Sequence, residues 1–266
     1  LLGPFNSYKL LHFTFYCLGS LSLLFFLKRK GFDLVSSISA VLTNYFSFFL
    51  LYHQQHFSMT LTAYLIPVGI YLIDVLINDR KFSTVSILSI LTSLIVSFGS
   101  YQMVVIFMIT IFLYFITHID LRKARDFLFL FLVYFFTTLF LSLPRILPTF
   151  QSYVKGNRYA GGVSHVDGSF NPMMMINTVY PYIFGKGESY KWNTVSSKYQ
   201  IHETYVYVGI TSIVMGVFGY FFAKDKNLKK FSGFCAFSFL FLGFMNYIPV
   251  VNSIKIPIIG SFRFWG

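Results

Sequence analysis

Charge is scarce in this chain. Asp, Glu, Lys and Arg make up 11% of its 266 residues, whereas a soluble globular domain carries about 25%. Acidic residues are the rarer sign, nine against 21 Lys and Arg. No charged side chain stands at the middle of an apolar run. Asp74 comes nearest, within a turn or so of the Asp79/Arg80/Lys81 group, and is expected to reach the membrane interface. Ionisable residues deep in a membrane mark proton relays and ion paths, so their scarcity argues against a pump or ion-coupled carrier. Cysteine is nearly missing as well: Cys17 and Cys235 both lie inside apolar runs. That excludes a disulfide framework and a cysteine-based zinc site. A cleavable leader is not recognisable either, because the first apolar run is too long and ends in Lys28/Arg29/Lys30 rather than in small residues.

What remains is apolar. Hydrophobic residues account for 56%, aromatics for 21%, and mean hydropathy is +0.66, the composition of a polytopic membrane protein. A bilayer core about 30 Å thick needs roughly 20 apolar helical residues. Eight stretches meet or approach that length: Tyr8 to Leu27, Phe32 to Tyr52, Ser58 to Ile77, Phe82 to Phe98, Gln102 to Ile119, Asp126 to Leu147, Thr204 to Ala223 and Phe231 to Tyr247. They are continuous runs without the alternation of membrane strands. The expected fold class is therefore all-α, a transmembrane bundle in three parts: spans one to six over residues 1–148, a long loop over 149–203, and two further spans over 204–266.

More than half of the cationic residues fall in four clusters: Lys28/Arg29/Lys30, Arg80/Lys81, Arg122/Lys123/Arg125 and Lys224/Lys226/Lys229/Lys230. An even number of apolar runs separates each from the next, so all four land on one face, the cytoplasmic one by the positive-inside bias. In a soluble chain the net charge of +12 would point to nucleic acid. Clustered at helix ends, it reads as a topology signal and a contact for anionic lipids, and no nucleic-acid partner is expected. The loop from Thr149 to Glu203 is then extracytoplasmic. It far exceeds an ordinary connection, which favours a functional role, and its run Phe170 to Phe184 suits an interfacial helix.

Within the second span, Ser36, Ala40, Thr43 or Asn44, and Ser47 recur at helical spacing. Such a small, hydroxyl-rich face either packs against another helix or lines a cavity. It leads outward to His53 and His56. Other polar residues gather on the same side, notably Gln102, Arg145, His202, Glu203 and Arg263. Guanidinium groups near a helix mouth either meet lipid headgroups or offer a planar fork to a phosphate. Two arginines and a glutamate on one rim favour an anionic, phosphate-bearing ligand. His53 and His56, joined by His202 and Glu203, would give a divalent metal some ligands, but the spacing favours plain interfacial histidines and no metal is assigned. Met173-Met174-Met175 reads as an interfacial anchor rather than a soft-metal site.

Several strings occur in an order that resembles the YfhO family of bacterial membrane proteins, which look like GT-C glycosyltransferases. They are Pro4-Phe5-Asn6, Lys28 to Ala40, Tyr101-Gln102, Leu143 to Thr149, Tyr180 to Gly185, Glu203 to Gly209 and Gly260 to Arg263. The resemblance spans essentially the whole chain, and order and placement carry it more than any single motif. It implies a GT-C-like bundle that transfers a sugar from a polyprenyl-phosphate donor to a cell-envelope polymer, such as teichoic or lipoteichoic acid, outside the bacterial cytoplasmic membrane. Arg145 and Arg263 would bind the donor phosphate, Glu203 and His202 would orient or deprotonate the acceptor, and His53, His56 and Gln102 would line the sugar site. A Gly-His-Pro-Gln-like turn expected in relatives is Ser100-Tyr101-Gln102 here, keeping the glutamine and losing the histidine. The chain opens at Leu1 without Met and is expected to be an internal piece, with the acidic first loop of such enzymes upstream. The rival readings are a transporter or lipid flippase, and a non-catalytic accessory subunit of an envelope-glycosylation complex.

Overall fold

A computed structural model of the chain describes residues 4–45, 56–120, 124–155 and 210–244. All secondary structure among them is helical: α1 Pro4–Arg29, α2 Leu34–Tyr45, α3 Phe57–Asp79, α4 Phe82–Phe98, α5 Tyr101–His118, α6 Ala124–Lys155, α7 Ile210–Phe222 and α8 Lys226–Phe244. Each of the eight expected apolar stretches overlaps one of these helices. Three of them, over Asn6–Arg29, Phe57–Asp79 and Phe127–Gln151, are long and apolar enough to cross a bilayer, and α2, α4, α5 and α7 are apolar but shorter. The helices fall into two compact units, α1 to α6 in one and α7 with α8 in the other.

In the first unit α3 is the hub, packed by α1, α4 and α5. Its apolar window is 61% buried, against 17% for α1 and 22% for α6. Small residues make this possible. A methyl group added at Gly69 would come within 2.6 Å of Ile111 and Phe107 side chains of α5, so only a hydrogen there lets the two helices approach so closely. Thr60 and Thr62 are fully buried yet return their hydroxyls to carbonyls of their own helix, Thr62 to Ser58 at 3.1 Å. Ser93 and Thr110 do the same through Ser89 and Ile106. Hydroxyls satisfied this way leave an outward surface that is effectively apolar. The α6 helix is tied to α4 by Thr92 and Tyr134, whose hydroxyls lie 3.1 Å apart.

Local chemistry sets the turns. Gly31 takes φ +84° after α1, and Phe32 N–H donates to the Leu27 carbonyl at 3.1 Å, the left-handed helix end that glycine tolerates best. Asp33 then caps α2, its carboxylate accepting the Ser36 amide at 2.9 Å and the Ser36 hydroxyl at 2.6 Å. The Ser36 hydroxyl, and secondly its amide, hold the Asp33 carboxyl below its ordinary pKa. In the second unit Asp225 caps α8 by accepting from Asn227 and Leu228, and the Lys229 ammonium reaches back to the Phe221 carbonyl at 3.3 Å. The fourth basic cluster thus closes a helical hairpin.

Three expectations need correcting. The sixth span does not end at Leu147: α6 runs through Pro144 and Pro148 to Lys155, so the stretch expected to be loop from Thr149 begins as helix. A proline forfeits one hydrogen bond, and a helix already long and apolar continues past it. Ser36, Ala40, Thr43 and Asn44 are exposed, and the buried positions of α2 are Ser37 and Tyr45; the small polar face neither packs nor lines a cavity here, because the bulky aromatic wins the contact. Ser47 lies outside the described residues. Asp74 does not reach outward. It is 1% exposed.

Candidate functional site

Two polar assemblies sit at opposite ends of the first unit. The basic end joins the C-termini of α1, α3 and α5. Asp74 accepts from the Lys30 ammonium at 2.7 Å, the Arg29 Nε at 3.0 Å and the Tyr114 hydroxyl at 2.7 Å. Arg29 also spans to Asp79 at 2.8 Å. Lys30 lies over the Phe26 and Tyr114 rings, and His118 stacks on Tyr114 with centroids 4.0 Å apart. A carboxylate with three donors is a satisfied buried charge. Arg80, at the end of α3, lays its guanidinium over Phe127 of α6 at 5.3 Å. Among the described residues, the first two basic clusters and Arg125 of the third share one end of the unit, as their spacing in the sequence requires, and the first two are built into its packing.

The far end is aromatic. Tyr8, His12 and Tyr16 follow one another at i, i+4 and i+8 along one face of α1, meeting Phe57 and Tyr64 of α3 and Tyr45 of α2. His12 lies 4.9 Å from the Phe57 ring, Tyr16 lies 5.0 Å from Tyr45, and Tyr45 stacks on Tyr64 at 5.7 Å. Edge-to-face and offset pairs of this kind are favourable beyond the area they bury. Gly19 lets them close in, for a methyl there would collide with the Tyr45 hydroxyl and the Tyr64 carbonyl. Tyr45 is 2% exposed, and its hydroxyl has no hydrogen-bond partner; nor do the buried His12 Nε2 and Ser20 Oγ. Buried polar atoms of this sort are seldom left unpaired, and each costs about 1–3 kcal/mol. Three along α1 and α2 mark a place where a polar ligand group would be gained.

Two expected site residues lie at this far rim. His56 immediately precedes α3, its carbonyl accepting from the Met59 and Thr60 amides. Gln102 lies in the first turn of α5, which Ser100 caps through the Met103 amide. The two helix starts are joined where the Ser100 amide donates to the Ser58 carbonyl at 3.3 Å. Arg145 is exposed on α6; no described contact brings it to His56 or Gln102. His53, His202, Glu203 and Arg263 lie outside the described residues. Among the described residues no three His, Cys, Asp or Glu side chains are grouped to hold a metal.

Sequence reasoning missed the far-end aromatic set and the Asp74 cluster. The first was legible in the i, i+4, i+8 spacing of Tyr8, His12 and Tyr16. The second was not, because pairing Lys30 with Asp74 needs the α1–α3 contact.

No family model, curated protein or solved structure matches this chain.

Proposed function

We propose that this chain is the membrane part of a GT-C-type glycosyltransferase, passing a sugar from a polyprenyl-phosphate donor to a cell-envelope polymer such as teichoic or lipoteichoic acid on the outer face of a bacterial cytoplasmic membrane. The reading rests on the motif order that resembles the YfhO family. The observation that supports it best is the pairing of a basic end with a far end where aromatic faces and unpartnered His12 and Tyr45 tips collect. Basic ends face the cytoplasm, which turns the aromatic end outward. Aromatic faces suit sugar rings, and a neutral histidine with a tyrosine hydroxyl can hydrogen-bond hydroxyl or phosphate oxygens. In this scheme Arg145 and Arg263 hold the donor phosphate and stabilise it as it leaves. Glu203 with His202 handles the acceptor, and His53, His56 and Gln102 line the sugar site.

Membranes carrying the full-length protein, given a radiolabelled polyprenyl-phosphate sugar and a teichoic-acid acceptor, should transfer label. Glu203→Ala and Arg263→Ala at normal expression should each lower transfer by about 100-fold or more, the usual scale for a positioned acid–base or electrostatic group. Unchanged transfer in both would remove them from the site and end the assignment.

One observation favours a second reading. The Asp74–Lys30–Arg29 cluster is an ionisable group inside an apolar helix bundle, the feature whose scarcity argued against an ion-coupled carrier. A transporter would show lipid-linked or soluble substrate uptake into vesicles that collapses on dissipating the proton gradient. A transferase would be indifferent to that gradient.

A further inference from the structure

The α2 helix is lightly attached to the rest of the first unit. Only Ser37 and Tyr45 of it are buried, while Leu34, Val35, Ile38 and Leu42 are exposed, Val35 by 76%. Its packing among the described helices is against α1. Its side-chain hydrogen bonds stay in its own first turn, where Ser36 and Ser37 bond to Asp33. Among the described residues no hydrogen bond or ion pair ties α2 to another helix. Few buried contacts and no polar cross-link make a segment of low local stability.

The base of α2 is built to bend. There α1 is pinned, with Lys30 and Arg29 bound to Asp74 of α3 at 2.7 and 3.0 Å, and its carbonyls at Phe26, Leu27 and Lys28 are closed by the Lys30, Phe32 and Gly31 amides. Asp33 separately closes α2, its carboxylate accepting the Ser36 amide and its carbonyl the Ser37 amide at 3.1 Å. Two finished helix ends therefore meet at Phe32. Gly31, at φ +84°, has nothing within 4 Å of where a side chain would begin, so the backbone can turn there without a clash. Residues at element ends absorb the backbone change of a hinge in this way.

The far end of α2 is held by one ring. Tyr45 packs on Tyr16 of α1 at 5.0 Å and on Tyr64 of α3 at 5.7 Å, and its hydroxyl enters the notch that Gly19 leaves beside the Tyr64 carbonyl. That hydroxyl has no partner in the notch. The ring holds by shape while its polar tip opposes the fit, the balance of a latch that can let go. We propose that α2 is a hinged gate, turning about Gly31 and Phe32 and latched by Tyr45 against Gly19, whose release opens the aromatic face of α1 and α3 sideways to the bilayer. With 12 residues it is a rod about 18 Å long, so a small turn at its base moves Tyr45 far. That a lipid-linked sugar enters by this gate rests on the glycosyltransferase reading. The hinge does not rest on it, and is tested with no donor present.

The test uses the full-length protein in bilayers, with Cys17 and Cys235 replaced by Ala, and measures distances between paired nitroxide labels by pulsed electron resonance. One pair joins Asn44→Cys, exposed at the far end of α2, to Phe98→Cys, 61% exposed on α4. The other joins Val35→Cys, beside the hinge, to the same Phe98→Cys. Tyr45→Ala should shift the open-to-closed ratio at Asn44 by about 100-fold or more, the scale of losing a buried aromatic. Gly19→Ala, which fills the notch from the α1 side, should populate the same new distance. Tyr45→Phe should keep the closed distance and lower any open fraction by about five-fold. The Val35 distance should change little in all three, as a hinge requires. A single, unchanged distance at Asn44 in Tyr45→Ala would overturn the proposal. So would a Val35 distance that moves as far as the Asn44 one, which marks displacement or unfolding of the whole helix. A Tyr45→Phe protein that opens as Tyr45→Ala does would overturn it too, by showing that the hydroxyl is what holds the helix.

Discussion

Removing the Asp74 carboxylate should be the most damaging single change in the first unit. Asp74→Ala leaves the Lys30 ammonium, 15% exposed, without its 2.7 Å partner and strips Arg29 of one of two carboxylates. It also takes away the 2.7 Å acceptor of the Tyr114 hydroxyl, on a residue with no exposed surface. Breaking a buried ion pair from one side costs about 3–5 kcal/mol, and loss of the hydrogen bond from Tyr114 adds about 1 kcal/mol. Lys30 and Arg29 stand near a helix end where they can turn toward water, which places the total near the lower figure, about 3 kcal/mol. For a unit of this size that is a fall on the order of 10 °C in the midpoint of thermal unfolding, readable as loss of the monodisperse peak in detergent after heating. Asp79→Asn breaks only the partly exposed bridge to Arg29 and should cost about 0–1 kcal/mol. The triple change Asp74→Leu, Lys30→Met, Tyr114→Phe removes Asp74 with two of its three donors, leaves Arg29 to Asp79, and should recover most of the loss, because apolar replacement of a buried pair is often neutral or better. An Asp74→Ala variant as stable as Asp79→Asn would refute the idea that this cluster holds α1, α3 and α5 together.

Three further outcomes are expected. Gly19→Ala forces a methyl into the Tyr45 hydroxyl and the Tyr64 carbonyl and should destabilise by about 1–3 kcal/mol; Gly216→Ala, which meets nothing within 4 Å, should be neutral in the same heating assay. Tyr45→Phe deletes an unpartnered hydroxyl and should leave stability unchanged or higher, while lowering sugar transfer if that hydroxyl meets the ligand; a clear loss of stability would mean the hydroxyl is bonded after all. Asp33→Ala should lower stability at neutral pH by removing the α2 cap. Because Asp33 titrates below its ordinary value in the folded chain, its contribution is complete above that ordinary value, about 3.9, and disappears as pH falls through the lowered one. The gap between wild type and variant should thus hold from pH 7 to 5 and close in stronger acid.

Helix positions were legible because the helices are written in continuous apolar runs, and each of the eight runs overlaps a helix. The shared end of Lys30, Arg80 and Arg125 was legible for the same reason: counting runs between them gives an even number each time. Partners were not. Asp74 and Lys30 are 44 positions apart by their numbering, and nothing local to either shows that α1 lies against α3. The small polar face of α2 misled, because Ser36 and Asn44 say that a close approach is allowed and not that one occurs; Tyr45, a single large residue, decided which side went inward. The α6 helix continues through Pro144 and Pro148 beyond Leu147, since the cost of a missing hydrogen bond is small beside that of ending a helix in an apolar medium. Of the seven expected site residues, His56 and Gln102 are brought to one rim, Arg145 stands exposed on α6, and His53, His202, Glu203 and Arg263 fall outside the described residues.

The two ends of the first unit are built on opposite principles, and that contrast bears on function. At the basic end the carboxylates are engaged: Asp74 takes three donors, Asp79 takes Arg29, and the Asn78 amide donates to the Asp74 carbonyl at 2.7 Å. At the aromatic end His12, Ser20 and Tyr45 keep buried polar atoms unpaired. Satisfied networks rigidify a structure and unsatisfied ones cost stability, so a chain selected for stability alone would not keep three of the latter on two neighbouring helices. The unpaired end is where a ligand's oxygens would recover that cost, with α3 fixed at its other end by Asp74. Loosening the fixed end should then weaken binding at the far one. Asp74→Asn, which retains an acceptor for Tyr114 but not the charge, should raise the donor concentration needed for half-maximal transfer more than it lowers the maximal rate. An unchanged concentration dependence in a folded Asp74→Asn protein would show that the two ends are independent.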